Sequence, residues 1–193
     1  MSADHHLPAP AGLPTDEHER YAHYLRLLAD VPETEEFALV AAVLGDVDPA
    51  IGRAAVEFHV DLRAATLLRT PALAGWAATM AELLGPDSFG HRRIREWLLR
   101  AAVVRGGEWS ADDLTAASAW LQLALAESGE CPEVLPLLAE NGRSRRIRNI
   151  AAARLRRRSD RVPGPASARD QGQGQGQNRD QGQEQNRDRR RGR

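Results

Sequence analysis

Lysine is missing from this chain altogether, and all 26 of its Lys+Arg positions are arginine. A phosphate loop of the GxxxxGK[ST] type, a Schiff-base amine and a Ser–Lys dyad all need that residue, so each is excluded outright. Cysteine occurs once, at Cys131, which excludes an intramolecular disulfide and fits a reducing cytoplasm. Long hydrophobic runs are absent too. The longest uncharged stretch, Leu114–Ala126, has 13 residues, well short of the roughly 18 that suggest a membrane span. The N-terminal MSADHHLPAPAGLP has neither a basic n-region nor an apolar h-region, so it is not a signal peptide. No segment alternates apolar and polar residues with period 2, and β-branched clusters are scarce, which argues against strands. The expectation is a soluble, cytoplasmic protein that does not engage a membrane by spanning it.

What is present is a polarised chain. The net charge of −1 hides residues 1–142, with 10 Arg against 22 acids, and residues 143–193, with 16 Arg against 5 acids. The two parts carry −12 and +11. Within Arg143–Arg158, eight of sixteen residues are Arg and none is acidic. Such asymmetry points to an anionic partner. It has a plainer reading: with Ala, Gly and Leu also abundant, a GC-rich codon bias makes Arg do the ordinary surface work of Lys.

Helix punctuation recurs from Thr15 onward. Thr15 caps a first helix with Tyr21, Tyr24, Leu25 and Leu28 on one stripe. Thr34 opens a second, ending at Gly45. Asp48-Pro49 supplies a carboxylate cap and then a proline whose missing N–H is no loss at N1. That third helix runs to about Arg69. Thr70-Pro71 repeats the device, and Gly85 stops the fourth helix in a left-handed cap. A fifth covers Phe89–Arg105. Ser110-x-x-Asp113 resembles a capping box and opens a sixth helix to about Glu127. A short helix fits Pro132–Glu140, and Ser144 caps the last, ending near Arg158. The predicted fold is all-α: stacked antiparallel helix pairs, seven or eight helices, either α-solenoid-like or a compact bundle. A body over 15–158, of about 145 residues, buries roughly 68–70% of its unfolded surface and needs no staple. Residues 1–14 read as a disordered leader. Residues 159–193, with their RDQGQ and QNRD near-repeats and no large apolar side chain beyond Val162, read as a disordered tail.

The helix starts pair off at a spacing of about 40 residues, a solenoid-like period. Inside it, Asp48-Pro49-x-Ile51-Gly52-Arg53-Ala54-Ala55 resembles the opening of a HEAT-type repeat helix. Ile147-Arg148-x-x-Ala151-Ala152-x-x-Leu155 is similar to it more closely, and Ile94-Arg95 is a fainter echo. Gly52 stands where the family prefers Arg, and Trp97 replaces a small residue. The resemblance implies a helical-repeat scaffold that binds protein; a minority of such proteins bind DNA or RNA and some belong to enzymes, so fold analogy does not fix function.

Constellations that could carry chemistry are few. His18 and His23 are five residues apart, which on a helix leaves them about 140° apart, unlike the near-eclipsed pair of a HExxH zinc helix; no third ligand follows, and neither metal nor cofactor is expected. His59 shares a face with Ala55, Phe58 and Leu62, as a buried imidazole bonded to a neighbour would. Glu57 and Asp61, at i,i+4, could form a carboxylate pair acting with His59. Arg53, four residues earlier, makes a surface ion pair with Glu57 the simpler account. Cys131 has no nearby histidine downstream and reads as an inert thiol. Trp76, Trp97, Trp109 and Trp120 read as core and inter-helix packing, Trp109 as a hydrophobic staple.

The last helix carries the sharpest signal. Ile147, Ile150, Ala151 and Leu155 form an apolar stripe that can dock on the body. Arg143, Arg145, Arg146, Arg148, Arg156, Arg157 and Arg158 then form a candidate surface for phosphate or an acidic partner. A solvated end-cap, an acidic protein surface, nucleic acid and an anionic membrane surface all fit that pattern. The leading expectation is a non-enzymatic protein-interaction module with an unidentified protein partner on residues 15–130. The rival is a nucleic-acid binder led by the basic helix and tail, and the outlier an enzyme using His59 with Glu57 or Asp61.

Overall fold

Capping chemistry sets where each helix begins. The computed structural model describes residues 12–129 and 131–161; the expected leader up to residue 11 and the tail from residue 162 lie outside them. Within these residues the chain forms α1 (Glu17–Ala29), α2 (Glu36–Leu44), α3 (Pro49–Leu67), α4 (Ala72–Leu84), α5 (Phe89–Val104), α6 (Ala111–Ala116), α7 (Ala119–Ser128), a 3₁₀ turn (Pro132–Val134), α8 (Leu135–Asn141) and α9 (Arg145–Arg161). No strand occurs among the described residues. The chain is all-α, as its patterning predicts.

Asp48 accepts from the Ala50 amide with Pro49 at N1 of α3, and Ser88 and Ser110 cap α5 and α6. Other expected boundaries move. The α1 cap is Asp16, whose carboxylate takes the His18 and Glu19 amides, because two orphan N–H groups prefer a charged acceptor to the Thr15 hydroxyl. Thr34 does not open α2, which starts at Glu36. Thr70 closes α3 instead of opening α4: its amide and hydroxyl both donate to the Leu67 carbonyl. Gly85 has φ of 76° but ψ of 152°, so it is a glycine-only extended turn and not a left-handed cap. Helix α9 runs on to Arg161, past the expected end at Arg158.

The largest correction concerns the helix expected from Ser110 to Glu127, which is two helices. Ala117 turns extended at ψ 157°, and Ser118 caps α7 by accepting from the Leu121 amide. Two side chains from elsewhere satisfy the broken backbone. Glu96 on α5 accepts from the Ser118 amide at 2.7 Å. Gln122, fully buried, donates to the Leu114 and Thr115 carbonyls at 2.9 and 3.1 Å, and its carbonyl oxygen accepts the Arg143 amide at 2.9 Å. This break raises the α-helix count among the described residues to nine against the seven or eight expected.

Two contact series organise residues up to Leu155. Alternate helices are neighbours: α1 packs on α3, α3 on α5 and α5 on α7, while α2 packs on α4 and α6 on α8. Consecutive helices cross between the two rows, as α2 does on α3 and α4 on α5. One core joins Tyr24, Leu28, Val40, Val43, Val56, Val60, Leu73, Trp76, Met80, Ile94 and Trp97. A second joins Val103, Leu114, Leu121, Leu125, Val134, Leu135, Leu138, Ile147 and Ala151. Trp120 packs against both, meeting Trp97 edge-on with centroids 5.2 Å apart. The approach of α2 to α3 depends on a glycine. A Cβ on Gly52 would lie 2.2 Å from the Val43 carbonyl oxygen at the end of α2, so this packing forbids a side chain at the position where the sequence departs from the HEAT-like pattern.

Candidate functional site

The titratable groups in the first core are closed upon each other. Glu36, 2% exposed at the start of α2, accepts from Trp76 Nε1 on α4 at 2.9 Å and shares a 2.7 Å hydrogen bond with His59 Nε2 on α3, both at Oε1. Its Oε2 accepts from Arg63 Nε at 3.3 Å, and Arg63 also reaches Glu33 at 2.6 Å. Burial pushes the Glu36 carboxyl upward. The His59 and Trp76 hydrogen bonds, with the charges of His59 and Arg63, outweigh it and hold the group below the usual glutamate range. His59 is therefore the bonded, buried imidazole the sequence suggests. Its partner comes from another helix, 23 residues away. Neither Glu57 nor Asp61, the partners an enzyme reading requires, is bonded to His59.

A second closed node sits between α1 and the α2–α3 turn. Tyr24 donates its hydroxyl to Asp46, which also accepts the Asp48 amide at 2.7 Å and lies 3.6 Å from Arg20 Nε. Burial, then the bond to Asp46, pushes the Tyr24 phenol well above its ordinary range.

Glu57 and Asp61 face α5. Asp61 accepts from Trp97 Nε1 at 2.7 Å and lies 3.4 Å from Arg93 Nε. The Arg93 guanidinium lies 3.8 Å from the Trp120 ring centroid and 5.1 Å from that of Phe89, with Glu96 at 3.6 Å. This cation–π seam ties α3, α5 and α7 across the junction of the two cores. The expected Arg53–Glu57 ion pair does not form among the described residues, and Glu57 is left half-buried. Desolvation raises its carboxyl above the usual range.

The basic helix divides. Its stripe is buried as expected at Ile147 and Ala151 and half-buried at Ile150 and Leu155. Three of its arginines bond to the body: Arg146 to the Glu127 carboxylate at 3.1 Å, Arg148 to the Gly142 carbonyl at 2.5 Å, and Arg154 to the Glu127 carbonyl. Of these, Arg154 lay outside the expected set, and Arg146 and Arg148 within it. The exposed Arg143 and Arg145 lie at the start of α9, and the exposed Arg156, Arg157 and Arg158 in its last turns. Between Arg148 and Arg154 no residue is charged, so the positive charge falls in two groups and not along one stripe. Cys131 is buried, with its thiol 3.5 Å from the Val103 carbonyl. Among the described residues, no three His, Cys, Asp or Glu side chains converge as metal ligands, and no helix is long and apolar enough to cross a membrane.

The feature that sequence reasoning missed is on the outside. Phe58 and Leu62, one turn apart on α3, are 48% and 51% exposed. Ala54, also exposed, continues their ridge toward the helix start. Tyr21, Leu25 and Ile51 are half-buried in the adjoining α1–α3 interface. The signal lay in the sequence: on a 100° wheel Phe58 and Leu62 stand about 120–160° from the Val56–Val60 stripe, where a merely solvated face would be polar. Comparison with protein-family models, with curated proteins and with solved structures finds no match for this chain.

Proposed function

We propose that this protein is a non-catalytic interaction module that binds a protein partner on the outer surface of α1, α3 and α5. One observation carries the reading: an apolar ridge, Phe58 with Leu62, stands exposed on a frame whose buried carboxylates, Glu36 and Asp46, are taken up by hydrogen bonds within it. Large apolar side chains set side by side in water mark contact surfaces more often than solitary ones do. A HEAT-type, α-solenoid arrangement is part of the proposal. The alternation of helix contacts supports it. Such rows present extended faces for binding. A buried, single cysteine fits a cytoplasmic home.

Affinity capture from native extract, with full-length wild-type chain and a Phe58→Ser/Leu62→Ser chain, tests this. A partner held by the first and lost by the second supports the reading, and recovery of bait alone with wild type defeats it. A His59→Ala chain that stays folded and keeps the partner removes the enzymatic outlier.

One observation favours the nucleic-acid reading. Helix α9 places Arg145, Arg146 and Arg148 in and beside its first turn with no acid there, against the helix dipole, which favours carboxylates at that end. That reading expects log–log salt dependence with a slope near −0.9 per phosphate neutralised on duplex DNA. Its test is substitution of Arg143, Arg145, Arg156, Arg157 and Arg158 by Gln. Ending the chain at Asn141 would instead remove Ile147 and Ala151 from the core. Loss of a DNA or RNA mobility shift in the Gln variant supports the reading; absence of any shift with wild type at low salt ends it.

A further inference from the structure

We propose that the α1–α3 groove takes one amphipathic α-helix of a protein partner, its apolar stripe seated on Phe58 and Leu62 and its borders basic. The inference rests on the interaction-module reading and names the partner's chemistry. Helices α1 and α3 run parallel here: Glu17, His18 and Tyr21 of α1 share a cleft of about 340 Å³ with Asp48, Ala50, Ile51 and Ala54 of α3. At 1.5 Å per residue that register carries Leu25 alongside Phe58 and Ala29 alongside Leu62. The groove is thus lined by Tyr21, Leu25, Ile51, Ala54, Phe58 and Leu62 over about three turns. That length suits a helix laid in by residues spaced i, i+4 and i+7.

Charge selects among occupants. Exposed Glu17 and half-exposed Asp48 close one end of the groove, and half-buried Glu57 flanks Phe58 without an ion pair among the described residues. Asp61 is answered by Arg93, and Arg93, Arg53 and Arg92 all bear on Glu57, so the net acidic end of the groove is the one formed by Glu17 and Asp48. A second copy docking by the same face would set carboxylates against carboxylates, since a two-fold contact pairs a patch with itself. The chain's own tail fits the charge but not the groove, because residues 162–193 offer Val162 as their one large apolar side chain. Helix α9, basic and apolar, has its stripe already buried at Ile147 and Ala151. A separate protein helix with apolar stripe and Arg or Lys borders satisfies both requirements.

The probe is a displayed library of amphipathic helices about five turns long, with a fixed Leu stripe and border positions varied among Arg, Glu and Gln. It is selected on the full-length chain. The expected result is enrichment of basic borders, with affinity for the chosen peptides falling about tenfold or more in Phe58→Ser/Leu62→Ser, where two anchors are lost. Both side chains are half-exposed, so an unchanged circular-dichroism melt is expected to accompany that loss. In Glu17→Arg, at an exposed position, the basic preference at one end of the peptide should disappear. No enrichment, enrichment without basic bias, or peptides that bind the Ser variant equally would each overturn the proposal. So would sedimentation showing a wild-type dimer that Leu62→Ser dissociates. A partner captured from extract and still held by the Ser variant would overturn this groove while leaving a protein-binding role on another face.

Discussion

Substituting alanine for two helical glycines separates packing from propensity. In a helix interior Gly→Ala ordinarily gains about 0.8–1.0 kcal/mol. Gly75 in α4 has nothing within 4 Å of where a Cβ would stand, so Gly75→Ala should realise that gain in full. At Gly52 the same atom would meet the Val43 carbonyl oxygen at 2.2 Å, its carbon at 3.2 Å and Asp46 Cβ at 3.4 Å. Backbone cannot rotate aside, so the end of α2 must withdraw from α3 by about an ångström. Overpacking of this kind costs about 3 kcal/mol at the upper end of its usual range. Set against the propensity gain of about 1 kcal/mol, the net loss is about 2 kcal/mol. At roughly 3–4 °C per kcal/mol for a body of this size, thermal unfolding followed by circular dichroism should show Gly52→Ala melting about 6–8 °C lower. Gly75→Ala should melt about 3–4 °C higher. If both variants rise together, the α2–α3 approach is not what holds that glycine in place, and the packing argument fails.

Other expectations follow from the buried nodes. Because its folded-state pKa is depressed, Glu36 stabilises fully above its unfolded value of 4.5 and the contribution is lost as pH falls through the lower folded value. Glu36→Gln should therefore be less stable at pH 7, with the deficit shrinking below about pH 4.5, read from urea midpoints across pH; a pH-independent deficit would refute the linkage. Trp120→Ala removes the ring shared by both cores and stacked under Arg93. A loss of about 3 kcal/mol is expected, together with separation of the unfolding of α1–α5 from that of α6–α9, and hydrogen exchange would show a single cooperative unit if this is wrong. Gln122→Leu leaves the Leu114 and Thr115 carbonyls and the Arg143 amide without their partner, a loss of about 2 kcal/mol or more by denaturant titration; a neutral result would mean water replaces it.

How far the fold was legible depends on how local its causes are. The cap at Asp48-Pro49, the Ser110 start and the 100° stripes are written within a few residues, and the helices they imply are present. The α6–α7 break was not legible, because Ser118 could end one helix and start another only once Glu96 and Gln122 arrived to bond its exposed backbone. His59 is buried with Ala55 as expected, but Phe58 and Leu62, assigned to the same face, are half-exposed; nor was its acceptor legible, since Glu36 is brought to it by the packing of α2 on α3. Likewise the arginines of α9 were visible as a run, whereas the bonds of Arg146 and Arg154 to Glu127 need a neighbour from another helix.

By itself, then, the order of residues determined the helical class, the caps at Asp48, Ser110 and Ser144, the polarity of charge and the exclusion of lysine-dependent chemistry, since each rests on interactions spanning one or two turns. Tertiary structure alone decided which carboxylates are neutralised, which arginines remain free and which apolar ridge faces water. Those outcomes depend on residues 20 to 40 positions apart meeting across helix interfaces, and no local signal in a chain reports who its distant neighbours will be.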